Sequence, residues 1–356
     1  MKNTLHPLFF LQLVLILVYS CNDRSAKSSD HESRTGVSLN AETYHFPASA
    51  RAEKFDIKNL QQNLPDSLDA ALINYGYELM VNTSRIVGPH VADTAMRYAG
   101  NNLACVNCHL SGGTKTYSAS WVGVMTRYPK YRNKNGKVND MEMRVNGCFQ
   151  RSMNGRPLPR DSREMRAIIA YYSWLSSDTS LNSKPEYKGY VDYKSPHRAA
   201  DTTQGRRLFM QHCYVCHGSY GEGLLFDRAD TSRGYIYPQL WGNDTYNIGA
   251  GMAKIETFAA FVKGNMPYGV LGEKPHLTDA EAYDIAGYVN MQQRPVPPGL
   301  DGDFPDRSTK GADVPYGPYI DPYPPLQHRI GPLQPIKAWY KELKKDKPDD
   351  TSGHEL

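Results

Sequence analysis

The chain has 356 residues, 40% of them hydrophobic, with six cysteines and a formal net charge of +4. That length admits two domains of ordinary size plus tails. A charge balance so near neutrality argues against nucleic acid as a partner. The first predicted element is a targeting segment over residues 1–20: Lys2 supplies a positive start, and Leu8 to Val18 form an apolar run too short for a membrane span. Val18-Tyr19-Ser20-Cys21 resembles a bacterial lipobox, in which the cysteine is lipidated and becomes the mature N-terminus. Plain secretion and a short uncleaved anchor are the alternatives. The lipoprotein reading is preferred because Cys21 has no other partner and a polar tether follows over 21–60. Each reading places the protein on the periplasmic side of a bacterial membrane, attached at most by its lipid.

A first domain is predicted over 61–176. Gly76-Tyr-Glu-Leu79-Met80 opens a helix, and Cys105-Val-Asn-Cys108-His109 follows. A helix from about Arg163 to Leu175, entered through Asp161 or Ser162, carries Met165, Ile168, Ile169, Tyr172 and Leu175 at helical spacing. Residues 177–204 read as a linker broken by Pro185 and Pro196. The second domain, 205–294, repeats the plan. Gly205-Arg-Arg-Leu208-Phe209 opens a helix ahead of Cys213-Tyr-Val-Cys216-His217. Met266-Pro267 follows in a Gly-rich loop, and Cys148 holds roughly its place in the first half. Thr278 and Glu281 then form a capping box, and Ala282, Ile285, Ala286 and Val289 make an apolar stripe. An extension over 295–356 has 11 prolines between Pro295 and Pro335, a composition that favours extended chain. Its interspersed Tyr and Ile point to a segment lying over the domains instead of a free tail. Lys337 to Lys347 read as a short basic helix, and the last residues as disordered. The expected fold is mainly α: two cytochrome c-like domains in tandem, with a long proline-rich C-terminal extension.

A Cys-x-x-Cys-His motif attaches a c-type haem: the cysteines form thioethers to the vinyl carbons and the histidine ligates iron. One such motif also fits a dithiol redox site or part of a zinc site. Two of them, each inside a helix frame in an exported chain, point to two covalently bound haem c. Cys105, Cys108 and His109 would hold the first, and Cys213, Cys216 and His217 the second. Met266 is the expected distal ligand of the second haem, with Met252 as competitor. A thioether favours Fe(II) and raises the potential, which suits electron exit. At the first haem the distal candidates are Cys148, Met153, Met141, Met143 and Met125. Methionine is the common choice. Cys148 is preferred because an exported cysteine ordinarily pairs in a disulfide, and no cysteine is left to pair with it. A thiolate there would favour Fe(III) and remain a nucleophile. From Lys115 to Arg166, 12 Lys/Arg stand against 4 Asp/Glu, a basic region around Cys148 able to focus a field on a small anion.

The stretch Arg144-Val-Asn-Gly-Cys148-Phe-Gln-Arg151-Ser152-Met153-Asn154-Gly155-Arg156-Pro-Leu-Pro159 resembles the diheme thiosulfate dehydrogenases. So do Leu103-Ala-Cys-Val-Asn-Cys-His109, Tyr128-Pro-Lys-Tyr-Arg132 and Ala170-Tyr-Tyr-Ser-Trp-Leu175. The resemblance spans roughly Leu68 to Pro298. It implies coupling of two thiosulfates into tetrathionate, with two electrons passed through the haems, and some members favour the reverse. It makes the first haem the active site, with Cys148 as distal ligand and catalytic thiol. Arg144 and Ser152 fall on substrate-contact positions. Arg132 is a looser transfer, because the loop from Lys134 to Asn139 can shift the alignment. Family members differ just before the distal methionine of the second haem; here Asn265 precedes Met266, which implies simple His217/Met266 ligation. The implied partners are thiosulfate or tetrathionate and an external redox partner, a cytochrome or a quinone-linked protein. A non-catalytic diheme electron carrier and a Sox-type sulfur-carrier cytochrome are the alternative functions.

Overall fold

The computed structural model of the protein describes Leu64 and residues 70–345. The targeting segment, Cys21, nearly all of the tether and residues 346–356 lie outside the described residues. The first core contains α1 (Ala70–Val81), α2 (Thr83–Val87), α3 (Met141–Arg151) and α4 (Arg163–Leu175). The sequence reading has Gly76 opening a helix, whereas the structure places it in the middle of α1. Its role is packing. A Cβ there would lie 2.1 Å from the carbonyl oxygen of Ala167, so only glycine lets α1 cross α4 backbone to backbone. Of the two candidate caps for α4, Ser162 serves: its hydroxyl accepts from the Met165 N–H at 3.1 Å. Met165, Ile168, Tyr172 and Leu175 of α4 are buried against Leu79 and Met80 of α1.

The stretch read as a linker is packed, not slack. It contains α5 (Thr179–Asn182). Tyr117 and Ala119 donate their N–H groups to the carbonyls of Glu186 and Gly189, both at 2.8 Å. Tyr187 and Val191 are buried. Apolar side chains at the ends of a polar stretch suffice to strap it down.

The second core repeats the crossing. It contains α6 (Thr202–His212), α7 (Tyr214–His217), α8 (Ile255–Asn265) and α9 (Asp279–Met291). Gly205 also lies inside its helix, one turn past the Asp201 cap, and a Cβ there would lie 1.9 Å from the Asp284 carbonyl oxygen. The capping box at Thr278 and Glu281 forms, and Ala282, Ile285, Ala286 and Val289 are all buried. The sequence reading treats the region before Met266 as loop. It is α8, whose Ile255, Phe258, Ala259 and Val262 carry a helical period and are buried.

Two short antiparallel hairpins complete the domains: β1 (Lys130–Arg132) with β2 (Lys137–Asn139), and β3 (Leu224–Leu225) with β4 (Tyr235–Tyr237). Amide side chains join the two cores. Asn101 donates to the Thr245 carbonyl at 3.0 Å, and Asn102 binds both oxygens of Asp244 through its N–H and amide, at 2.8 and 2.9 Å.

The extension lies over both domains. It runs without regular helix to Pro324, then forms α10 (Pro325–Ile330) and α11 (Gln334–Lys345), the basic helix expected from the sequence. Leu333, Ile336 and Tyr340 enter the second core. Lys310, buried, sits over the rings of Tyr319, Tyr316 and Phe304 at 4.7, 5.0 and 5.8 Å. His328 is fully buried, with Nδ1 2.9 Å from the Ala312 carbonyl and Nε2 3.1 Å from Asp321. Among the described residues no helix is long and apolar enough to cross a membrane.

The crossings give a stability test. Gly76→Ala and Gly205→Ala should each lower the stability of the haem-loaded protein by about 1–3 kcal/mol, despite alanine's better helix propensity. Gly302→Ala, where no atom lies within 4 Å of the added Cβ, should be close to neutral. Thermal unfolding measures all three, and equal melting temperatures would show that the crossings can relax.

Candidate functional site

Each Cys-x-x-Cys-His motif turns as one short helical segment, so both sulfurs and the imidazole face a common space. In the first, the turn Cys105–Asn107 is held by Thr83, whose Oγ1 accepts from the Cys105 N–H at 3.1 Å. His109 places Nδ1 2.8 Å from the Ala119 carbonyl oxygen. A carbonyl can only accept, so Nδ1 carries the proton and Nε2 keeps its lone pair. Burial pushes the imidazole down to about 4, which keeps it neutral at ordinary pH. The second motif is built alike. His217, also lowered by burial, donates Nδ1–H to the Pro238 carbonyl at 2.9 Å.

Four residues beyond each histidine a glycine meets a tryptophan face. A Cβ on Gly113 would lie 1.9 Å from the Trp121 ring, and one on Gly221 2.4 Å from Trp241. Trp121 in turn lies over His109 with ring centroids 4.6 Å apart. Two sulfurs, one imidazole with a free Nε2 and an aromatic wall are the donor set and cradle that a haem c requires.

Cys148 sits on α3, a helix the sequence reading leaves unassigned. Asp140 caps it, accepting from the Met143 N–H at 2.8 Å. Arg144 lies four residues before Cys148, and Ser152, at the C-cap, four after, so the three share one face. Arg144 donates from Nη1 to Cys148 Sγ at 2.7 Å. Cys148 is the leading cause holding the Arg144 guanidinium above its usual range. Cys148 also faces the attachment turn: burial pushes the free Cys105 and Cys108 thiols up to about 12, and Cys148 adds to both. Its rival Met153 is 3% exposed and packed into the first core, where Met141 is also buried and Met125 packs at the edge. Met266 ends α8, and Met252 lies in the short turn Gly251–Ala253; both pack at the edge of the second core.

A cavity of about 740 Å³ opens beside α3. Arg144, Ser152 and Arg132, the last from the end of β1, all line it, together with Met143. The three expected substrate contacts therefore come together, and Arg144 joins the cavity to Cys148. Lys130, Lys134, Arg151, Arg160 and Lys254 add positive charge, and no acidic side chain faces in. The carboxylates stand behind. Asp303 pairs with Arg151 at 2.6 Å and with Lys134 at 3.7 Å, Asp313 with Lys254 at 2.9 Å, and Asp140 with Arg160 at 2.5 Å. Lys134 and Arg151 belong to the basic segment that the sequence shows. Asp303 is 152 residues from Arg151, and nothing local in a proline-rich stretch marks it.

The family description "SoxA/TsdA, cytochrome c domain" matches residues 96–181, and "Cytochrome c" matches 202–293. Over 240 residues the chain is 38% identical to the thiosulfate dehydrogenase of Stutzerimonas stutzeri (strain A1501), an alignment covering 67% of this chain and 73% of that one. This chain belongs to the thiosulfate dehydrogenase family. The thiosulfate dehydrogenase of Psychrobacter arcticus (strain DSM 17307 / VKM B-2377 / 273-4) is 37% identical over 246 residues, 69% of this chain and 70% of its own. A solved thiosulfate dehydrogenase (TsdBA) from Marichromatium purpuratum, in its "as isolated" form, superposes with a TM-score of 0.59 at 33% identity. That match covers 68% of this chain and 50% of the solved one, so this chain spans half the length of that relative. As in the thiosulfate dehydrogenase family, two tandem cytochrome c domains here bind haem c.

The cavity wall carries a titratable charge. Burial pushes Lys134 down to about 7; Arg151, Lys254 and Arg132 add to the fall and Asp303 opposes it. Lys134 is therefore cationic below about 7 and neutral above, and a bound dianion favours the cationic form. Affinity for sulfate as a probe dianion, measured by calorimetry on the holoprotein, should fall as pH rises through about 7. Lys134→Arg, with a fixed charge, should flatten that profile; a flat wild-type profile would remove Lys134 from the anion site.

Proposed function

We propose that this chain is a diheme c-type cytochrome that joins two thiosulfates into tetrathionate at its first haem, the same site running in reverse as a tetrathionate reductase. The observation that carries this reading is the 2.7 Å contact from Arg144 to Cys148 Sγ, at the edge of a cavity whose charged lining is entirely cationic. Thiosulfate is the substrate in the names of the similar enzymes. Cys105 with Cys108, and Cys213 with Cys216, would each hold one haem through two thioethers. His109 and His217 would be the proximal ligands, Cys148 the distal ligand of the first haem and Met266 that of the second. Haem iron accepts single electrons, so the two haems hold those of each turnover until an external partner, a cytochrome or a quinone-linked protein, collects them. Export and lipid anchoring at Cys21 belong to the same reading, supported by the apolar run ahead of Val18-Tyr19-Ser20-Cys21 and by the periplasmic setting in which haem c is attached.

Two thiosulfate dianions repel each other, and that repulsion is a large part of the barrier. Arg144 and Arg132 offset it with fixed charge, and a guanidinium fork matches oxyanion geometry. The Ser152 hydroxyl can donate to a sulfonate oxygen. Cys148, held as thiolate by Arg144, forms a sulfur–sulfur bond to the sulfane sulfur of the first thiosulfate. Two electrons leave, and Cys148 carries an S-sulfonate adduct through that sulfane sulfur. The sulfane sulfur of the second thiosulfate then attacks the one on Cys148. The bond to Cys148 breaks, tetrathionate departs and the thiolate is restored. Neither displacement requires a proton, so no general base is needed.

Holoprotein mixed with thiosulfate and ferricyanide should form tetrathionate. Its absence across a broad pH range, with both haems loaded, would sink this reading. Cys148→Ala should alter the spectrum of the first haem and abolish turnover; an unchanged spectrum would assign the distal position to a methionine. Arg144→Ala should lower kcat/KM by roughly 100- to 1000-fold. Met266→Ala should lower the potential of the second haem and leave the first unchanged.

A further inference from the structure

The cavity has a wall that the two cytochrome domains do not supply. Phe304, Thr309, Gly311, Val314, Pro315 and Tyr316 of the C-terminal extension line it. The matched cytochrome c domain ends at residue 293, before this segment begins. The extension is fastened where it meets the cavity. Phe304 donates its N–H to the Lys134 carbonyl at 2.7 Å while holding φ at +54°, a left-handed conformation uncommon for a bulky residue.

Asp303, next to it, is buried and makes four contacts. Arg151 reaches it through both terminal nitrogens, Nη1 to Oδ2 at 2.9 Å and Nη2 to Oδ1 at 2.6 Å. Tyr316 donates its hydroxyl to Oδ2 at 2.5 Å, and Lys134 stands 3.7 Å away. The second domain closes the other side. Lys134 donates to the Gly249 carbonyl at 2.5 Å, and a Cβ on Gly249 would lie 2.7 Å from Arg151 Nη1. Three separate stretches of chain thus aim two cations into one cavity. A two-pronged guanidinium–carboxylate pair fixes direction as well as charge.

We propose that Asp303 is a positioning residue of the anion site, setting Arg151 and Lys134 on the substrate, and that the extension thereby completes the binding cavity. This rests on the thiosulfate reading above. The sign follows from the charges. Without the carboxylate, Arg151 and Lys134 repel each other and lose their orientation. Lys134, whose charge Asp303 supports, also spends more of its time neutral at neutral pH. Both effects weaken anion binding. The opposite case, in which Asp303 merely competes with substrate for these cations, gives tighter binding once it is removed.

The test uses full-length holoprotein carrying Asp303→Asn, Asp303→Glu or Tyr316→Phe. Steady-state kinetics with thiosulfate and ferricyanide are paired with calorimetric thiosulfate binding and the haem spectra. Asp303→Asn should raise both KM and Kd by roughly tenfold, with a smaller change in kcat and unaltered spectra. Asp303→Glu should recover most of the affinity, and Tyr316→Phe should give a smaller rise of the same kind. A KM for Asp303→Asn within twofold of wild type, a fall in KM, or a loss confined to kcat would overturn the proposal. If Asp303→Asn does not fold, Tyr316→Phe decides, and an unchanged KM overturns it. Wild type that turns over while Asp303→Asn matches its KM refutes only this inference. Wild type that binds thiosulfate without turnover refutes the proposed function, and the calorimetric arm still decides the role of Asp303. Wild type that binds no thiosulfate refutes both.

Discussion

Everything in the two cores hangs on helices that touch without side chains between them. At Gly76 over Ala167, and at Gly205 over the Asp284 carbonyl, a single Cβ would force the backbones apart. Close approach fixes the crossing, and the crossing fixes where the chain re-enters each core to make its Cys-x-x-Cys-His turn. Leu79 and Met80 in one core, and Leu208 and Phe209 in the other, fill the angle beside the contact. The repeat is therefore one of packing. Sequence similarity between the halves is faint because a crossing needs only one glycine and two apolar neighbours.

On that shared frame the two sites diverge through what approaches from the distal side. In the second domain a methionine follows α8, and its neighbour Asn265 ties the loop to the first domain by donating to the Tyr117 carbonyl at 2.9 Å. In the first domain the corresponding place is taken by α3, which presents Cys148 and Arg144 as a contacting pair. A helix holds a four-residue spacing rigidly, so the arginine cannot leave the sulfur without unwinding a turn. Rigid charge beside a polarisable nucleophile suits sulfur oxyanion chemistry better than electron transfer alone, which needs no such pair.

The charge arrangement around α3 is layered. Cations face the cavity and carboxylates lie behind them, where Asp303 and Asp313 are almost fully buried. A carboxylate placed behind an arginine costs little of the field seen by an anion in front of it, and it prevents buried like charges from driving one another apart. Both of those carboxylates come from the extension. A segment whose composition suggests only extended chain thus supplies the counter-charge for residues far earlier in the sequence.

The sequence by itself determined the parts whose chemistry is local. A Cys-x-x-Cys-His run needs only its own turn to bring sulfur and imidazole together, so both attachment sites are legible without a fold. The capping box at Thr278 and the Ser162 cap are legible for the same reason, being bonds between residues three apart. The four-residue steps from Arg144 to Cys148 to Ser152 placed those residues on one face as soon as that stretch formed a helix. Tertiary structure decided what depends on distant pairing. It put Arg132 of a hairpin opposite α3, buried Met153 in the core, turned the linker into a strap and brought Asp303 to Arg151. Ion pairs across such separations leave no periodic mark, because any carboxylate at the right point in space satisfies the cation. Sequence thus specified which groups could react, and folding specified which charges would surround them.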